Sequence, residues 1–242
     1  MAPPIVTATL QTAVISAISN VLAQAITAHQ NNTPLTIDYI PVFQYALFSL
    51  LSTPPNFLWQ DFLESTFPAY HLTPTTTAVT AASSTSDPDA KLDAANAHST
   101  TLVEPRLNKR HTAAKTLLDQ TVGAVVNTAM YSLFMHATRQ AMAHHYAARA
   151  AAGVDGGVAV GGLAFLLGGG GSEVLRYQDV AWASVWALMR AEFWGLIKAG
   201  WRFWPLVSLV NYVFLTSVEA RSLMGALAGL GWGIYLSLIT AQ

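Results

Sequence analysis

Apolar positions in this chain come in long runs separated by short polar breaks. Residues 1–37 contain no Asp, Glu, Lys or Arg, and Pro3-Pro4 precedes a helical pattern over 6–28. A second charge-free run, Tyr39 to Gln60, lies between Asp38 and Asp61 and places a helix over 39–63. Pro41 suits its first turn, where a missing N–H costs little. Pro54-Pro55 predicts a kink or an end to that span, with Trp59 near an interface. The stretch 65–111 breaks the pattern: His71 to Thr101 is rich in Thr, Ser, Ala and Asp. It holds too little apolar surface to offset its ordering entropy and reads as a disordered Ser/Thr-rich loop.

A third helix is expected over 112–149, with Gln120 to Thr138 apolar and long enough to span. The Gly-rich stretch 150–178 reads as a flexible connection. In 179–202, Trp182, Trp186 and Trp194 alternate with Arg190, Glu192 and Lys198. That composition suits an amphipathic helix at a membrane interface, where indoles settle. Trp204-Pro205 opens a helix over 203–218, Glu219 and Arg221 form an elbow, and 222–240 is the last apolar segment. A helical span needs about 20 apolar residues. The pattern therefore predicts an all-α, polytopic membrane bundle of four to five membrane helices plus an interfacial amphipathic helix.

Composition strengthens this reading. Hydrophobic residues make up 52% of the 242 and charged residues 10%, whereas an ordinary soluble domain carries about 25% charged residues. Mean hydropathy is +0.38. The lipid bilayer is thus the first expected partner. A formal net charge of −1, with no basic domain, gives no support for nucleic-acid binding. Cysteine is absent, which excludes disulfides, Cys-ligated zinc and thiol catalysis. The first Arg is Arg106, so no Arg-rich cleavable transit peptide is expected. The C-terminal Thr240-Ala241-Gln242 is not a Ser-Lys-Leu type address.

Several polar groups fall inside the apolar runs. Thr12, Ser16, Asn20 and Gln24 recur at every fourth position and share a helix face. They line an aqueous path or act as hydrogen-bond glue between helices. Asn211 lies near the middle of its span, and Asp119 and Gln120 open the third apolar run. Ionisable groups at membrane depth are functional candidates; Lys115, one turn before Asp119, offers it an i,i+4 partner. Asn20, Gln24, Asp119, Gln120 and Asn211 are the candidate pore-lining residues. Gly225, Gly229 and Gly233 form overlapping G-x-x-x-G motifs and read as packing surface, against an internal helix or a second copy in a homo-oligomer. His144-His145 has only His136 nearby, so no metal site is expected, and neither a catalytic constellation nor a cofactor motif is visible.

The C-terminal stretch resembles that of the Mpv-seventeen / peroxisomal-membrane-protein-twenty-two family. The resemblance rests on Trp201, Trp204, Pro205, Asn211, Tyr212, Arg221, Trp232, Tyr235, Leu236 and Ser237. Upstream, Lys115, Asp119 and Gln120 match a K-x-x-x-D-Q pattern, and Pro54, Trp59 and Leu63 match a second. Gln24 matches a first-helix Gln, with Asn20 where an Asp is usual. Phe57 stands in place of the family's His and Gln60 in place of its Tyr, and the Val-Pro after the Asn-aromatic pair is replaced around Leu215-Thr216. The long Ser/Thr loop resembles a divergent, fungal branch. The resemblance implies a small protein of the peroxisomal membrane or the mitochondrial inner membrane, with four spans; an enzyme is not expected, because no catalytic constellation is visible. The resemblance also implies channel-like permeation of small solutes, or organisation of the membrane by recruiting other proteins.

Overall fold

A computed structural model describes residues 3–76, 79, 103–144, 146, 147 and 175–240, the side chains of 233–240 excepted. The fold is helical with one small ribbon. Helix α1 (Pro4–Gln30) begins with proline in its first turn, where the ring's fixed φ is already helical. Helix α2 (Tyr39–Thr66) is capped by Asp38, whose side chain accepts from the Ile40 N–H. Of the two outcomes expected at Pro54-Pro55, an end does not occur there: α2 runs through both prolines to Thr66. The carbonyls these prolines leave without an N–H are those four residues earlier, Leu50 and Leu51.

Strand β1 (Tyr70–Pro74) pairs antiparallel with β2 (Val103–Leu107), with Tyr70 opposite Leu107 and Pro74 opposite Val103. The stretch 65–111, expected to be disordered, is therefore ordered at both ends; 77, 78 and 80–102 lie outside the described residues. Tethers explain the order. The Ala69 N–H donates to Glu64 Oε1 at 3.0 Å, the Asn108 N–H to the Ala69 carbonyl at 2.8 Å, and the Tyr70 hydroxyl to the Val213 carbonyl at 2.5 Å.

The third helix starts earlier than the apolar pattern suggested and carries a defect. Helix α3 (Lys109–Leu118) passes through a π turn (Asp119–Gly123) into α4 (Ala124–Ala141). Asn108 caps it by accepting from the His111 N–H. The Gly-rich connection expected over 150–178 lies outside the described residues up to 174. Then come a short 3-10 turn (Tyr177–Asp179) and α5 (Trp182–Gly200). Helix α5 lies on α4 through Val185, Ala137 and Ala141, all buried.

Helix α6 (Trp204–Phe214) has 11 residues, about 16 Å, and is too short to cross a hydrocarbon core of about 30 Å. The elbow lies at 215–217, because α7 (Val218–Thr240) already includes Glu219 and Arg221. The position expected for the turn is thus a first helical turn, and Arg221 is buried within it at 2% exposure.

The α1 surface divides into two sides. Val6, Leu10, Val14, Ile18 and Leu22 form an exposed apolar row at every fourth position. Covering such a side chain is worth about 1.5–3 kcal/mol. Among the described residues, α1 is the helix long and apolar enough to cross a membrane by length and composition. Only 11% of its most apolar window is buried inside the molecule, so it is not a core helix.

Candidate functional site: a charged cluster between α2, α3, α6 and α7

Two neighbouring turns of α2 aim Gln60 and Glu64 inward, while Leu58 and Phe62 stay exposed on the outer side. Glu64 meets two cations from distant parts of the chain. Lys115 Nζ lies 2.7 Å from its Oε2, and Arg221 Nη1 lies 2.5 Å from the same oxygen. Lys115 is 0% exposed. The arginine also donates through Nε to the Leu215 carbonyl at 3.0 Å. The Nη1 contact has ion-pair distance but not hydrogen-bond alignment, so Nη1 and Nη2 make no hydrogen bond there. The Tyr212 ring fills the space beside both cations, with Lys115 Nζ 4.8 Å and the Arg221 Cζ 5.3 Å from its centroid. Burial of two cations around one carboxylate is tolerable only because this ring and the carbonyl share the charge.

Tyr212 links this ion cluster to a second group. Its hydroxyl donates to Gln60 Oε1 at 3.0 Å, and Gln60 Nε2 donates to Asp119 Oδ1 at 3.1 Å. Trp59 Nε1 donates to the same oxygen at 3.3 Å. Ser208 donates to Asp119 Oδ2 at 2.5 Å and accepts from Gln120 Nε2 at 2.8 Å. Trp201 Nε1 closes the group on the Gln120 carbonyl at 3.0 Å.

The π turn makes this possible. In a regular helix adjacent residues point about 100° apart; the extra residue of the π turn locally alters that spacing. Asp119 and Gln120 both reach Ser208 on α6. Gly123 completes the turn because a Cβ there would lie 2.9 Å from Trp59 Nε1 and 3.0 Å from Asp119 Oδ1.

The candidate residues separate into three groups. Asp119 and Gln120 come together here, with Lys115, Trp201, Tyr212 and Arg221. Asn20 and Gln24 lie at the α1–α2 turn instead. Gln24 Nε2 donates to Asn20 Oδ1 at 2.7 Å and to the Asp38 carbonyl at 2.8 Å, and Gln24 Oε1 accepts from the Asp38 N–H at 2.7 Å. Two further members of that stripe also stay with α1 and α2: Ser16 meets Ser49 at 2.5 Å and Thr12 donates to the Ala8 carbonyl. Asn211 joins neither group; it sits in the last turn of α6 with its Oδ1 buried and unbonded.

Lys115 pairs with Glu64, not with Asp119 as the i,i+4 spacing proposed. Trp204 and Pro205 start α6, and Trp232 stacks on Phe203 with centroids 5.7 Å apart. The side chains of Tyr235, Leu236 and Ser237 and the surroundings of Gly233 lie outside the described residues. Nothing lies within 4 Å of a Cβ built at Gly225 or Gly229, so among the described residues no other helix closes on them.

Sequence reasoning missed Glu64, Gln60 and Ser208. Glu64 had a signal: a lysine and an arginine flanking apolar helices need an acid, and it ends the second apolar run. It also missed a smaller group between α4 and α5, where Ser132 and His136 both bond Glu192 Oε1, the histidine at 2.9 Å. Serine and histidine share the carboxylate instead of meeting each other, so no proton relay from serine to histidine exists there.

Residues 174–237 match the model of the Mpv17 / PMP22 family. The "PXMP2/4 family protein 3" of Dictyostelium discoideum is 46% identical over 70 residues, which are 29% of this chain and 38% of that relative. The chain thus aligns with little more than a third of the relative's length. No solved structure matches. The family match holds Trp201, Ser208, Tyr212 and Arg221; their partners on α2 and α3 lie outside it.

Proposed function

We propose that this chain, which belongs to the Mpv17 / PMP22 family through residues 174–237, is a polytopic membrane protein with a channel-like path for small solutes. Family membership suggests an organellar membrane protein; the peroxisomal membrane and the mitochondrial inner membrane are the two compartments proposed, and no enzymatic role is assigned. One observation carries the pore reading. A continuous polar chain from Arg221 and Glu64 through Tyr212, Gln60, Asp119 and Ser208 to Gln120 runs inside helices whose outer positions, such as Leu58 and Phe62, are apolar. Polar and ionisable groups facing the interior of such a bundle mark solute or ion pathways. Their mutual bonding makes the observed arrangement a closed one, with Asp119 as the group that sets charge preference on opening. Purified protein in planar bilayers should give conductance steps, and Asp119→Asn should lower the cation-to-anion permeability ratio. No steps above an empty-membrane control would remove this reading.

A second reading is a membrane organiser that binds a partner or a second copy without conducting. The open faces of Gly225 and Gly229 favour it, since close helix approach is what such glycines permit. Mild-detergent extraction should then recover a complex; recovery of the protein alone as a monomer counts against it.

A further inference from the structure

The outer surface of α5 carries a row that the helix-to-helix contacts do not use. Trp182, Trp186, Arg190, Trp194 and Lys198 follow one another at every fourth position of α5, Arg202 follows in the turn just past its end, and all are exposed. Side chains four apart on a helix are neighbours, so each cation has an indole or another cation beside it. The row climbs from indoles to cations: Trp182 and Trp186 come first, Lys198 and Arg202 last. The packed ridge of α5, through Val185, Met189 and Ile197, lies about 100° round the helix from this row. The acid of this helix, Glu192, is turned away from the row and held by Ser132 and His136 of α4. The charge on the exposed row is therefore uncompensated: among the described residues, Arg190, Lys198 and Arg202 have no acidic partner.

We infer that this row is a docking surface for the phosphate headgroups of anionic phospholipids, with the indoles seated at the headgroup level and the basic side chains on the phosphates. The inference rests on the reading of the chain as a membrane protein and adds the lipid class. Charge complementarity commits it: three cations with no acidic partner among the described residues attract a surface of phosphates. Interleaved tryptophans select a bilayer over a soluble anion, because an indole gains from the boundary between apolar and wet surroundings. Arg190 and Lys198 stand about 12 Å apart along the axis, so the row holds more than one headgroup. A lysine near a helix C-terminus is also favourable towards the helix dipole, which accounts for Lys198 alone but not for Arg190.

The test uses the full chain in bilayers of phosphatidylcholine doped with phosphatidylglycerol, one lipid at a time carrying brominated acyl chains. Tryptophan quenching then reports which lipid surrounds the protein. At low salt, phosphatidylglycerol should be enriched about tenfold around the parent protein, and less as salt rises. The combined variant Arg190→Gln, Lys198→Gln, Arg202→Gln should bring the ratio to unity. Arg190→Lys with Arg202→Lys should keep it, and so should neutralising Lys109 and Arg110 on α3. Inorganic phosphate at matched ionic strength should not compete, which separates a headgroup in a bilayer from a free ion. No enrichment in the parent, or enrichment that survives the triple variant, overturns the inference. So does displacement by an acidic peptide without lipid preference, which would assign the row to a protein partner. Extraction by alkali from every bilayer would instead overturn the membrane reading beneath it.

Discussion

Two of the places where polar residues are set into apolar helices behave differently. At the α1–α2 contact the groups are neutral: Ser16 meets Ser49, and Gln24 holds Asn20 and the Asp38 backbone. Each bond closes within one helix pair. At the far end of α2 the groups are charged, and one carboxylate collects cations from α3 and α7 while Tyr212 of α6 covers both. The first arrangement is cement between two neighbours. The second ties four separate elements together, because Lys115 and Arg221 are buried and cannot be left without their carboxylate.

Breaking that contrast gives a ranked series. Glu64→Ala leaves Lys115 and Arg221 buried without their carboxylate, and should cost about 3–5 kcal/mol. It also removes the acceptor for the Ala69 N–H, so thermal unfolding in detergent should show a large drop in midpoint and early proteolysis at the ribbon. Gly123→Ala drives a methyl group against the Trp59 indole and the Asp119 carboxylate. Overpacking of that kind costs about 1–3 kcal/mol, and Trp59 fluorescence should shift together with the unfolding midpoint. Ser16→Ala removes one neutral interhelical bond, worth about 0.6 kcal/mol, a change near the resolution of the same assay. Should Ser16→Ala prove as damaging as Glu64→Ala, the contrast between the two regions is wrong.

Local signals in the sequence located the helices well, because charge-free runs and a proline in the first turn act within a few residues. α1 is readable in that way, whereas α7 begins at Val218 with Glu219 and Arg221 in its first turn. The sequence could not say what Lys115 binds. Its partner is 51 positions away, whereas periodicity reports only neighbours three or four apart, and it offered Asp119. The π turn was equally hidden: an extra residue in a helix leaves no mark in a hydrophobic pattern this uniform. Arg221 was placed in an elbow because charge in an apolar stretch usually marks a loop. It lies instead in the first turn of a helix, where Glu64 makes its burial tolerable. The polar stripe of α1 was legible as a stripe, but only the structure showed that it faces the α2 side and holds the turn.

The π turn also keeps time between the two ends of its helix. Upstream of it, Lys115 must face Glu64; downstream, Ser132 and His136 must face Glu192 on α5. Winding the turn as regular helix with all its residues kept would rotate everything after it by about 100°, whereas deleting one residue along with the turn would leave both ends in phase. In the first case Ser132 and His136 would swing off α5 while Lys115 stayed in place. The extra residue is thus a phase offset, a notch that lets one long rod mesh with two partners cut to different registers. A helix shorter by a single residue there meets the same two faces with a regular winding, and one of equal length without the π turn does not.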